Sequence, residues 1–255
     1  MSFTGKTKAS TYKDILQMDN SNSGIDTTIR TIKDGEGTAS ALQMSDDQVK
    51  VKPQNDDTTS VVEVQDKDGN TLFVVDSSND SVKALDNYVN TQYETFGIRF
   101  SGFTVSKHIM LGNSSALTAA AGIIGTGTDP DTSLTLTTAA DDYLNCYWYL
   151  QDDITIDAVD VFVSDGGTTS KDVRFHLMSY DVDTSNGATS GDLSNGTVLA
   201  DGADLTGLGH SAIDYQSMTI QSADVSAGKV VIATFFATDG TDKISINMRV
   251  KYHLR

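Results

Sequence analysis

The chain has 255 residues, with 18 Lys and Arg against 35 Asp and Glu, and a formal net charge of −17. That balance excludes a nucleic-acid interface built on phosphate contacts, which needs a basic surface. A single cysteine, Cys146, excludes an intrachain disulfide and a cysteine-based zinc site. The acids are lopsided, since Glu occurs only at Glu36, Glu63 and Glu94 and the others are Asp. Asp favours turns and Glu favours helices. With abundant Gly, Ser, Thr and Asn, this predicts an all-β protein of strands joined by polar turns. No apolar run follows Met1–Lys8, so no secretory signal peptide is expected. No apolar stretch is long enough to insert into a membrane.

The first predicted element is a short helix over Thr11–Met18, capped by Ser10. Tyr12, Ile15, Leu16 and Met18 would share its apolar face. So short a helix needs a partner surface, either its own chain or a particle on which it docks. Asp19–Gly24 and Asp34–Gly37 are turn-rich breaks. Ser45-Asp46-Asp47-Gln48-Val49-Lys50-Val51 recurs as Ser78-Asn79-Asp80-Ser81-Val82-Lys83-Ala84, with Val82 in the place of Val49. The match predicts one strand-and-turn unit used twice.

Between the two copies lies Val61–Val75, a predicted hairpin with β-branched runs around a Lys67-Asp68-Gly69 loop. Leu72 and Val74 point one way, and Phe73 and Val75 the other. Val62 and Val64 share a face of the first strand. A hairpin apolar on both faces must be covered on both, and a lone hairpin is marginal in water. From Met1 to Leu85 large apolar residues are sparse, and only Phe3, Tyr12 and Phe73 are aromatic. That is thin for an independent core. The cover is therefore expected from other chains, in an oligomeric stalk.

Tyr88–Phe103 is read as the junction to a second domain. Ser115–Ile124 is Ala-rich, with Gly122 weakening a helix there. Tyr143–Leu150 alternates, which predicts one strand with Leu144, Cys146, Trp148 and Leu150 in the core and Tyr143, Tyr147 and Tyr149 outside. Ile154–Val163 shifts phase near Ala158, which predicts a bulge. Val173, Phe175 and Leu177 alternate with Arg174, His176 and Met178. Lys229–Ala237 is apolar on both faces, as a doubly covered strand would be. Ile244, Ile246, Met248, Val250 and Tyr252 alternate with polar residues in the last strand. This series predicts a jelly-roll β-sandwich. Asp181–Ala212 is expected to be a long loop and, with Ser164–Lys171, to carry any binding specificity.

No catalytic residues are predicted, since no nucleophile elbow or supported Cys/His pairing is present. No cofactor and no metal are expected. His108, His176, His210 and His253 lack ligand spacing. Asp66–Asn70 and Asp181–Gly187 imitate calcium loops without the correct positions and are better explained as turns. Trp148 is assigned to the core rather than to a sugar platform.

Val62–Asp66, Gly69–Asp76 and Ser81-Val82-Lys83 together resemble the neck of tailed-bacteriophage fibre proteins. Tyr12–Gly24 and Asp34–Leu42 are similar to their virion-attachment ends, and Arg249–Leu254 resembles the closing strand of their jelly-roll tips. The resemblance implies a non-enzymatic homotrimer on a virion, made in the host cytoplasm. An N-terminal attachment segment (1–44) would dock on other virion proteins of tail or capsid. A β-hairpin stalk (45–102), interlocked through Val62, Val64, Leu72, Phe73, Val74 and Val75, would carry a C-terminal jelly roll (103–255). That tip would meet a host-surface receptor, possibly a glycan. The alternative is a head fibre or capsid decoration with a structural or weakly adhesive role. A glycan-cleaving tailspike is the rival from another class.

Overall fold

The structure, a computed structural model, describes residues 13, 15–18, 20–21, 23–101, 105–113, 122–136, 141–166, 171–208, 212–238 and 243–255. It is all-β and divides into two compact units, residues 1–89 and 90–255.

The first unit contains two four-stranded antiparallel meanders, each in chain order. One is β1 (Gln17–Met18), β2 (Arg30–Lys33), β3 (Ala39–Met44) and β4 (Val49–Val51). The other is β5 (Val62–Gln65), β6 (Thr71–Asp76), β7 (Ser81–Ala84) and β8 (Asn87–Tyr88). The predicted hairpin is β5–β6, with Val62 opposite Val75 and Val64 opposite Phe73. Its loop closes as expected, with Gly69 at φ +87°, a conformation that favours glycine. Asp66 Oδ1 accepts the Asp68 and Asn70 N–H groups at 2.8 and 2.9 Å. The Asn70 side chain, donating to Asp66 Oδ2 at 2.8 Å, and then these backbone bonds hold the Asp66 carboxyl below its usual range.

The predicted helix over Thr11–Met18 is corrected at its end. Gln17 and Met18 are strand residues, paired with Lys33 and Ile32. A short helix gains little by itself, whereas the edge of β2 offers ladder hydrogen bonds. Of its predicted face, Ile15 and Leu16 are exposed, Met18 is half-buried, and Tyr12 lies outside the described residues.

Among the described residues of the first unit, no apolar side chain is buried. Only Ser45 and Asp76 are. Val64 is 49% exposed and Leu72 40%.

The second unit comprises β9 (Thr91–Ser101), β10 (His108–Met110), β11 (Gly112–Asn113), a helical turn α1 (Asp141–Leu144), β12 (Trp148–Tyr149), β13 (Ile154–Asp165), β14 (Lys171–Val182), β15 (Leu193–Asp201), β16 (Leu205–Leu208), β17 (Asp214–Ser217), β18 (Thr219–Ile220), β19 (Asp224–Val225), β20 (Lys229–Ala237) and β21 (Lys243–Leu254). A seven-stranded sheet runs β10-β20-β14-β15-β18, with β12 also on β20 and β16 on β14. A six-stranded sheet runs β11-β9-β21-β13-β17, with β19 on β13. β9, expected in the stalk, pairs along its whole length with β21. Val161 and Val163 of β13 and Met248 and Val250 of β21 share one buried cluster with Phe175 and Leu177 of β14 and Phe235 of β20. The inner faces of both sheets thus supply one core.

The other face of β14 and β20 is covered too. Met178, Tyr180, Val230 and Ile232 pack with Met110, Ile124, Cys146 and Leu193, so β20 is doubly covered as predicted. The predicted bulge falls between Ile156 and Ala158. β21 alternates buried and exposed from Lys243 to Val250. Asp181–Ala212 is not the predicted long loop. It holds β15, β16 and a compact turn, with residues 209–211 outside the described set. Its polar composition hid strands because only scattered positions, among them Leu193, Leu199 and Ala200, are buried. Most of Ser115–Ile124 also lies outside the described residues.

Candidate functional site

Tyr143–Leu150 is not the single strand its alternation predicts. Tyr143 and Leu144 belong to α1, and the chain then turns through Asn145 and Cys146 into β12. Cys146 and Leu150 are buried as expected, but Leu144 is 70% exposed. Trp148 packs inward, its ring 6.3 Å from that of Phe96 and 4.9 Å from that of Tyr252. Tethering β12 to β20 at Trp148↔Val231 and Tyr149↔Val230 leaves the three tyrosines around an open cleft of about 500 Å³.

The floor of this cleft is Val182 and Val230, from the ends of β14 and β20. Leu136 and the tyrosines form the walls, and Asp183, Thr184, Ser190 and Gly191 form one rim. That rim is a built turn. Asp183 Oδ1 accepts the Ser185 N–H at 2.8 Å and Asp183 Oδ2 the Thr189 hydroxyl at 2.6 Å. Those bonds lower the Asp183 pKa from its ordinary value, Thr189 first. Asp192 Oδ1 accepts the Leu136 N–H at 2.7 Å, which ties wall to rim. Gly191 has φ +90°, and a Cβ there would lie 3.0 Å from Leu136 Cδ1. A side chain at 191 would be strained and would crowd that wall.

Tyr147 donates its hydroxyl to the Gly191 carbonyl at 3.0 Å. Burial first, then neighbouring Cys146, Tyr143 and Asp192, pushes its pKa up, so the phenol stays a neutral donor. Tyr149 is 49% exposed at the mouth. Among the described residues lining the cleft there is no Lys, Arg or His to meet an anionic ligand. Aromatic walls with hydroxyl and carbonyl groups at one rim suit a neutral ligand with apolar faces and several hydroxyls.

The tyrosines, expected together on a surface, and part of 181–212, expected to carry specificity, meet in this cleft. Leu136 and Val230 carry no such signal in the sequence, since they look like ordinary core residues until the turn is placed. Of the second specificity loop, residues 167–170 lie outside the described set.

The histidine spacing concealed a second cluster. His108 and His176 come from strands on either side of β20, with ring centroids 5.0 Å apart. His176 Nε2 lies 3.2 Å from Asp129 Oδ1, and His108 Nε2 lies 3.0 Å from the Gly127 carbonyl. Among the described residues no group of three or more His, Cys, Asp or Glu could hold a metal. No protein-family model and no curated protein matches this chain in sequence.

Proposed function

We propose that this chain is a non-enzymatic virion structural protein of a tailed bacteriophage, a homotrimeric fibre. Its N-terminal end docks on the particle, its first unit forms the stalk, and its second, a jelly roll, presents the tyrosine cleft to the host surface. The observation that carries the reading is the first unit, whose eight strands bury no apolar side chain among the described residues. Such half-buried sheets gain little of the hydrophobic term that stabilises a fold in isolation, and on this reading association supplies the rest. The cleft favours attachment over a purely structural decoration, and its lining favours a neutral glycan. Three tips on one stalk then act as one stronger contact.

Light scattering on the purified full-length chain tests the assembly. Three times the chain mass of 27.2 kDa is expected, and a stable monomer overturns the stalk. Affinity electrophoresis through a neutral host-surface polysaccharide tests the cleft. Tyr149→Ala should weaken retention about tenfold, the loss of one exposed aromatic contact. Steady release of oligosaccharide from the same polysaccharide would instead identify a cleaving tailspike.

A further inference from the structure

The two meanders of the first unit are one structural repeat. β2, β3 and β4 begin at Arg30, Ala39 and Val49, and β5, β6 and β7 begin at Val62, Thr71 and Ser81. The pairs Leu42↔Val51, Gln43↔Lys50 and Met44↔Val49 recur as Val74↔Lys83, Val75↔Val82 and Asp76↔Ser81. Lys33↔Ala39 recurs as Gln65↔Thr71. In each of these pairs Gln65 stands for Lys33, Val74 for Leu42 and Ser81 for Val49, a constant offset of 32 in sequence. The turns match in the same way. Asp34 Oδ1 accepts the Glu36 and Thr38 N–H groups at 2.9 and 2.8 Å, as Asp66 does in its own loop. Gly37 has φ +90° where Gly69 has +87°. Beyond the bulges the far ends of β2 and β5 differ in register by one position.

Two pairings have no counterpart, β8 on β7 at the end of the second meander and β1 on β2 at the start of the first. β1 lies on β2 with Gln17↔Lys33 and Met18↔Ile32. Moved by the same offset, that pair becomes β4 on β5, with Val49↔Gln65 and Lys50↔Val64. In the described chain β4 and β5 are outer strands of separate sheets. β2, flanked on both sides, is half-buried throughout, whereas Glu63, Val64 and Gln65 of β5 are exposed. β7, flanked on both sides, is half-buried, whereas all of β4 is exposed. The pairing of β1 on β2 thus projects onto two exposed outer strands.

We infer that β4 of one copy of this chain pairs antiparallel with β5 of a second copy, in the register Val49↔Gln65 and Lys50↔Val64. The pairing deepens the fibre reading and rests on it. Each copy offers one β4 edge and one β5 edge, so the contact is head-to-tail and leaves neither of these two edges open when copies close into a ring.

Disulfide capture tests the register, because opposed strand residues come within bridging distance. In a Cys146→Ala background, a chain carrying Val49→Cys is co-expressed with a tagged chain carrying Gln65→Cys. Mild oxidation should give a covalent pair containing one of each. The pair Val51→Cys and Glu63→Cys, next on the same face, repeats the test if the first variants fold poorly. Lys50→Cys with Gln65→Cys, out of register by one, should cross-link about tenfold more slowly. Light scattering is run on the same samples. An oligomer that forms no in-register disulfide overturns the pairing while leaving the fibre reading intact. A monomer overturns both. A double variant Val49→Cys/Gln65→Cys that closes only within its own chain also overturns the exchange. When that variant is oxidised to completion, three linked chains support pairing and trimer together. Two linked chains support the pairing and overturn the trimer.

Discussion

Beside each other in the seven-stranded sheet, His108 and His176 are 0% and 1% exposed. Burial lowers both pKa values. For His176 the proximity of His108 adds to burial, and together they outweigh Asp129 and bring it down to about 4 from an ordinary 6.5. The unfolded chain therefore binds more protons than the folded one between these values. The stability this neutral state contributes is fully present above pH 6.5 and is lost as pH falls toward 4. The urea midpoint of the second unit should fall between pH 7 and pH 5, a window largely above carboxylate titration. His176→Gln should flatten that slope, and an equal slope in the variant would remove the histidine pair as its cause. At the turns, Gly69→Ala meets no steric neighbour but keeps φ +87°. Its cost, about 1–2 kcal/mol, would then be purely conformational, visible as a lower melting temperature of the full chain.

At the scale of the strand, burial on both faces separates residues of the same type. Phe175 of β14 is 0% exposed at the centre of the seven-stranded sheet, whereas Phe162 of β13 is 48% exposed and meets the ring of Tyr215 on β17, with centroids 5.2 Å apart. Phe175→Ala should cost about 3–5 kcal/mol. Phe162→Ala should cost under about 1.5 kcal/mol, the value of an aromatic pair. Chemical denaturation of the two variants compares them, and equal losses would mean that the outer face of β13 is covered in solution. The same contrast explains what could be read from the chain. β21 and β20 were legible because each pattern, alternating or continuously apolar, maps directly onto one or two covered faces. The bulge at Ala158 was legible because a phase shift has no other cheap explanation. Tyr143–Leu150 misled because a helical turn followed by a two-residue strand places Cys146 and Leu150 inside much as one strand would, and only Leu144 betrays the difference. β15 and β16 were illegible because peripheral strands of Ser, Asn, Gly and Thr look like loop. The tyrosine cleft was half legible: its aromatic wall lies in one sequence stretch, but its floor is assembled from the ends of β14 and β20. The repeat was visible from side-chain identity with Val82 in the place of Val49, whereas backbone pairing puts Ser81 there. The distinction matters because a slip by one position exchanges the faces of every strand.

For the whole molecule, charge opposes the proposed association. Each chain carries −17, of which the unit ending at Val89, with nine basic and fifteen acidic side chains, accounts for −6. The second unit therefore carries the larger share of the charge, −11. Strand pairing and apolar cover are insensitive to screening or are strengthened by it, whereas interchain ion pairs are weakened. The Debye length shrinks from about 30 Å at 0.01 M salt to about 8 Å at 0.15 M, which removes most repulsion between chains. Sedimentation velocity at fixed micromolar protein should thus show the oligomeric fraction rising over that interval. A fall would mean that ion pairs such as Lys50 or Lys67 with a neighbour's acids hold the copies together. The sign of the salt dependence therefore separates, for the proposed stalk, closure by backbone edges and valines from closure by charge. It does so with the unmodified chain, before any variant is made.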